Sequence, residues 1–246
     1  TITGTIDTPG ELDRYRLNLA TDSLVLIDPQ GDPPSFDAGI TVRSSDGTAL
    51  EGRFNDELRV DLEDDEDAVV RLPAGEYFLD ADFGSNDSTG DYRFNLIDLR
   101  DPAATTPVNL EQEIAADFGG STASRVFRFS ATAGQEVLLE GIDAGSSRLE
   151  WRLIDDDGVE YEDGSLETGS TTNPLTLHGA GPYYLVLNPR GDNATDPTTD
   201  GPGVVTFQLH TPQERTFTLQ PDTPLTGQFD GVGDRYRFEF ELTEPR

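Results

Sequence analysis

Apolar and polar residues alternate along much of this chain. "YRLNLATDSLVLI" (15–27), "VFRFSATAGQEVLLEGI" (126–142) and "RYRFEFEL" (235–242) all switch character with nearly every residue. A period of two marks a strand with one buried face. Between such runs lie turn signals. "SSDGTAL" (44–50) and "IDDDGVEY" (154–161) place Asp-Gly between strands, and glycine there accepts the positive φ of a tight hairpin. "PAGEYFLDA" (73–81) and "GAGPYYLVL" (179–187) put a glycine turn before an aromatic-rich strand. No segment carries a sustained helical apolar stripe with caps. The pattern predicts an all-β chain of tandem antiparallel β-sandwich or jelly-roll domains, each of about 100 residues.

The tandem arrangement comes from self-similarity. "DRYRL" (13–17) returns as "DRYRF" (234–238), and "SRVFRF" (124–129) stands between them. Tyr15 aligns with Phe127, Gly75 with Gly181 and Phe94 with Phe207. These anchors divide the chain into a first unit over 1–100, a divergent second unit over 101–213, and the opening strands of a third over 214–246. The second and third units are preceded by leaders, "TTPVNLEQEI" and "RTFTLQPDTPLT", which the first lacks.

The pieces Gly4 to Leu17, Asp46-Gly47, Ala74 to Leu79 and Gly90 to Leu96 together resemble the bacterial pre-peptidase C-terminal domain family. The likeness covers 1–99 well, 108–212 more loosely and 215–246 as an opening fragment. In the second unit Ser124 replaces the acid at Asp13. The resemblance implies a non-catalytic jelly-roll module of the kind appended to secreted peptidases or strung in tandem in large surface proteins. It also implies that calcium, or a polymer such as collagen or polysaccharide, is a candidate ligand.

Charge narrows the partners. There are 48 acidic residues against 17 basic ones, a formal net charge of −31. Such a field repels nucleic acid and anionic membrane surfaces. No stretch approaches the ~20 apolar residues of a membrane span. The absence of cysteine excludes disulfides, thiol chemistry and thiolate metal sites. Opening directly on a strand, the sequence reads as a piece of a longer exported protein, extracellular or at a cell surface.

Two readings account for the acids: a solvated surface, or calcium bound where carboxylates gather in loops. The calcium candidates are Asp7, Glu11 and Asp13, where the chain enters "DRYRL", and Asp230 and Asp234, where it enters "DRYRF". The alternative for Asp13 and Asp234 is a turn cap bonding nearby N–H groups. "DLEDDED" (61–67) packs six carboxylates into seven residues without the spacing of an EF-hand loop. The polar loops over 84–91 and 191–201, with an Arg-Gly-Asp at 190–192 and sequons at Asn86 and Asn193, suit binding loops or plain surface loops.

Nothing organises a catalytic constellation. His178 takes the place of Leu72 in the alignment, His210 ends the second unit, and no nucleophile elbow is present. Trp151, the only tryptophan, is in phase with Leu149 and Leu153 and is assigned to the core rather than to a sugar-stacking platform. The expected function is a non-catalytic structural or adhesive segment. The alternative is a polymer-binding accessory region of a secreted hydrolase. Surplus strands at 215–246 raise the prospect of self-association by strand donation between copies.

Overall fold

The computed structural model describes all residues except 31–37, 52–57, 62–67, 85–87, 146–147, 191–201, 221–222, 227, 229–230 and 242–246. The acidic run at 62–67, both sequons and most of the Arg-Gly-Asp segment therefore lie outside the described residues, as does Asp230.

The described chain is all-β, with nineteen strands and no helix. In the first sandwich one sheet runs β1(Ile2–Ile6), β8(Gly90–Asp98), β3(Ser23–Pro29), β6(Ala68–Leu72). The other runs β2(Asp13–Leu19), β7(Gly75–Phe83), β4(Ala38–Ser44), β5(Arg59–Asp61). Every pairing in these two sheets is antiparallel. Their inward positions, among them Val25, Ile27, Ile40, Val42, Leu79 and Phe94, form one buried core.

The second sandwich holds β10(Glu113–Asp117), β17(Val204–His210), β12(Glu136–Asp143), β15(Leu175–Thr176) in one sheet. The other is β14(Glu160–Leu166), β13(Arg148–Asp155), β16(Gly181–Arg190), β11(Arg125–Ala131), β9(Thr106–Pro107). Phe127, Val137, Trp151, Leu185 and Phe207 belong to its separate core. Advancing every strand number of the first sandwich by nine reproduces the order of the second in both sheets. The extra strand, β9, comes from the leader and lies parallel to β11, with Thr106 opposite Phe127.

The same device recurs beyond the second sandwich. β18(Glu214–Thr218), from the next leader, pairs in parallel with β19(Arg235–Glu239), and Arg215 lies opposite Tyr236. The two form a sheet of their own. Arg235 at the start of β19 pairs with Glu136 on β12, tying this segment to the second sandwich. A Cβ on Gly233 would overlap Leu138, so the turn into β19 lies close against β12.

Candidate functional site

The feature that organises the molecule is a seam between the two sandwiches. On β3, Val25 and Ile27 enter the first core, while Leu24 and Leu26 point the other way yet are fully buried. On β16, Tyr183, Leu185 and Leu187 enter the second core, while Tyr184 and Val186 turn outward and are also buried. Leu24, Leu26 and Leu99 meet Val126, Ile154, Tyr184 and Val186 in a third apolar cluster, flanked by Val69 and Ile97. The local cause is visible in "SLVLI" and "YYLVL", where both alternating sets are apolar, as a strand covered on both faces requires. Seven buried side chains at ~1.5–3 kcal/mol each put the transfer free energy of the seam on the order of 10 kcal/mol.

Polar groups fix its register. Asp28, fully buried, accepts from Ser124 Oγ at 2.9 Å and from Asn95 Nδ2 at 2.9 Å. Gln30 Nε2 donates to the same carboxylate at 2.7 Å. At the other side Arg100 Nε reaches Asp156 Oδ1 at 3.2 Å, Tyr184 Oη donates to that oxygen at 3.1 Å, and Arg71 reaches Asp157 at 3.1 Å. Burial, reinforced by Asp156, pushes the Tyr184 phenol up to about 12, so it remains a donor at neutral pH. Ser124 replaces the acid of the first unit, and the seam supplies the reason: a carboxylate there would face Asp28.

The matching face of the first sandwich is built differently. At the seam Val126 lies opposite Val186 and Ile154 opposite Tyr184. The corresponding pairs on β2, β7 and β4 are Arg14 opposite Asp80 and Arg43 opposite Phe78. Asp80 is fully buried and accepts from Arg14 Nε at 2.6 Å and Arg43 Nε at 2.7 Å. Those bonds, Arg14 first, hold its carboxyl below the usual carboxylate range against the opposing effect of burial. The Arg14 guanidinium also covers the Phe78 ring at 5.2 Å. Arginines and a carboxylate thus stand on this face where the seam has aliphatic residues.

The predicted acidic residues take separate duties. Glu11 Oε2 accepts the N–H groups of Asp7 at 2.8 Å and Thr8 at 2.9 Å, closing the turn before β2. Those bonds, Thr8 first, lower its pKa. Asp13 accepts from Tyr92 Oη at 2.6 Å, and that hydroxyl meets Tyr15 Oη at 2.5 Å. Burial first, and Asp13 next, raise the Tyr92 pKa. Asp234 Oδ1 accepts the Gln213 N–H at 2.9 Å. Among the described residues no three His, Asp or Glu side chains converge as a metal-holding group.

Sequence reasoning missed Glu111 and did not place His210 among partners. The His210 ring is buried and reaches Glu140 Oε2 at 2.7 Å and Glu111 Oε2 at 3.3 Å. Glu111 also receives the Thr211 N–H and hydroxyl, in a left-handed backbone conformation with φ of 61°. No spacing rule in the sequence announces this junction. The His178 ring lies tilted against Tyr161 with centroids 5.5 Å apart, and Trp151 lies in the second core.

No family model matches the chain, and no curated protein matches it either. Among solved structures, the CUB1-EGF-CUB2 domain of human MASP-1/3 is similar at 9% identity and a TM-score of 0.25, over 85% of this chain and all of that one. Tripeptidyl peptidase 2 gives 9% identity and 0.25 over 84% of this chain and 22% of that one. A glycosyl hydrolase family 2 member from Bacteroides cellulosilyticus gives 8% and 0.20 over 84% and 30%. The β-sandwich assignment stands on the strand pairing itself. No described helix is long and apolar enough to cross a membrane.

Proposed function

We propose that this chain is a non-catalytic structural segment of an exported bacterial protein, related to the pre-peptidase C-terminal modules, in which two sandwiches act as one rigid bar. The observation that carries the reading is the seam. A tether between independent domains needs no buried cluster, whereas seven buried apolar side chains and the Asp28–Ser124 bond resist bending. Scanning calorimetry tests it: one cooperative transition supports a single body, and two well-separated transitions count against it.

Self-association by strand donation is a second reading favoured by one observation. β11 and β19 each carry a parallel leader strand, and β2, the strand that matches them, ends its sheet without one among the described residues. Because β18 pairs with β19 of its own chain, donation requires residues 215–219 of a second copy to exchange that partner for the β2 edge, with Arg215 opposite Tyr15. A solution mass above one chain, lost on substituting proline at Phe217, supports donation; a monomer at high concentration counts against it.

Calcium stiffening is part of the proposal through Asp7, Glu11, Asp13, Asp230 and Asp234. Its test is the unfolding midpoint with and without calcium chloride, since a ligand of the native state raises it. An unchanged midpoint leaves Glu11, Asp13 and Asp234 as caps and hydrogen-bond acceptors alone.

A further inference from the structure

One face of β14 points into the second sandwich and reads Glu162, Gly164, Leu166. Leu166 is buried in the core, Gly164 lies opposite Trp151, and Glu162 lies opposite the buried Leu153. A strand filling its core would put apolar side chains at all three positions. Here the middle one has no side chain, and a Cβ added to Gly164 would stand 3.3 Å from Trp151 Nε1. The space left is a cleft of about 250 Å³ bounded by Leu139, Trp151 and the whole stretch of β14 from Glu162 to Leu166, Asp163 included, on one side and by residues 170–173 on the other.

One polar group of this cleft is buried without a match. Glu162 Oε2 is buried and has no hydrogen-bond partner. Such an orphan calls for a missing donor, because a buried acceptor without one costs the full loss of its hydration. Trp151 Nε1 borders the same space beside Gly164, and among the described residues no hydrogen-bond acceptor meets it. The far wall is held in place: Ser170 Oγ accepts from Glu167 N and donates to Glu167 O, and Thr172 Oγ1 accepts from Leu139 N at 3.0 Å. At ~30 Å³ per water, the volume is that of roughly eight waters, too large for one structural water and smaller than the ~300–1,000 Å³ of drug-sized sites.

We propose that this cleft binds one ring of a neutral saccharide. A sugar hydroxyl donates to Glu162 Oε2 and a neighbouring one accepts from the indole N–H, while the ring's C–H groups rest on Leu139 and Leu166. A cation satisfies the carboxylate but opposes the indole N–H. An anionic sugar meets both Glu162 and the net charge of −31. The inference is independent of the rigid-bar reading, because the seam and the cleft share no residue.

Trp151 is the single tryptophan and borders the cleft, so tryptophan emission reads its surroundings there. The intact chain is titrated with cellohexaose, xylohexaose, mannohexaose, maltohexaose and chitohexaose, and separately with calcium chloride. The proposal expects a saturable change in emission with at least one hexasaccharide. It expects that response to weaken at least tenfold in Glu162→Ala and in Gly164→Ala, whose unfolding midpoints show the fold retained. No saturable change with any of the sugars overturns it. So does a response that survives both substitutions, or one produced by calcium chloride and by none of the sugars.

Discussion

Shortening Leu26 to alanine removes three carbons from a side chain in the first unit that is fully buried against the second. A leucine cut to alanine in a packed interior costs about 2–5 kcal/mol, the transfer of the lost atoms plus the cavity left behind. The seam is fixed on its rim by Asp28–Ser124 and Arg100–Asp156, so the site collapses poorly and a middle value of about 3 kcal/mol is expected. With a urea m-value of about 2 kcal/mol/M, the midpoint falls by about 1.5 M. The assay is urea unfolding followed at Trp151, which lies in the second core and outside the seam. Ile40→Ala is the decisive companion, because Ile40 is fully buried in the first core and is not part of the seam. If the sandwiches unfold as one body, both substitutions move the Trp151 transition. If Ile40→Ala leaves that transition in place while calorimetry shows the first unit destabilised, the coupling is refuted.

Further expectations follow from the same geometry. Asp80→Asn weakens the bonds to Arg14 and Arg43 and lowers stability at neutral pH by about 1–3 kcal/mol, read by thermal unfolding. Asp80 has a lowered folded pKa, so its contribution is present above the unfolded value of about 3.9 and disappears as pH falls through the folded one. The gap in midpoint between wild type and Asp80→Asn therefore narrows below about pH 4, and a constant gap contradicts the assignment. Gly4→Ala places a methyl onto the Tyr92 hydroxyl and 2.8 Å from that of Tyr15, displacing the Asp13 network at a cost of about 1–3 kcal/mol in denaturant unfolding. Ser124→Asp brings a second carboxylate to buried Asp28 and separates the units, read as a loss of the shared transition; Ser124→Ala, which only removes a donor, has a smaller effect.

The strands were legible because their inward faces obey period two. β2, with Tyr15 and Leu17 facing the core and Arg14 and Arg16 outside, is such a strand. The Asp46-Gly47 and Asp157-Gly158 turns appear where positive φ glycines allow them. The anchors Tyr15 and Phe127 do occupy matching strands, β2 and β11. The seam was hidden in a departure from alternation. "SLVLI" falls in a run whose alternation predicts a half-buried strand, but its consecutive apolar residues fill two interfaces, and all seven positions of β3 are buried. Ser124 was visible as a departure from the acid at Asp13, yet its meaning required Asp28, which is 96 residues away. Of the acidic candidates, Glu11 closes the turn before β2, Asp13 opens β2 itself and Asp234 directly precedes β19, while Asp230 lies outside the described residues. Which oxygen meets which donor depends on Tyr92 and Gln213, whose approach no local spacing encodes. The cleft could have been suspected from "EDGSL", where glutamate and glycine fall on the phase of a buried leucine.

The most direct test of the rigid bar is the distance between its halves. The chain lacks cysteine, so Ser45→Cys on the first sandwich and Glu167→Cys on the second, both exposed positions, accept spin labels without background. Pulsed dipolar spectroscopy should give a single narrow distance distribution, no broader than label motion alone, that widens when Leu26 is replaced by aspartate. A broad distribution in the unaltered chain would mean that the sandwiches move independently, and the seam would then not be the structural core of this molecule.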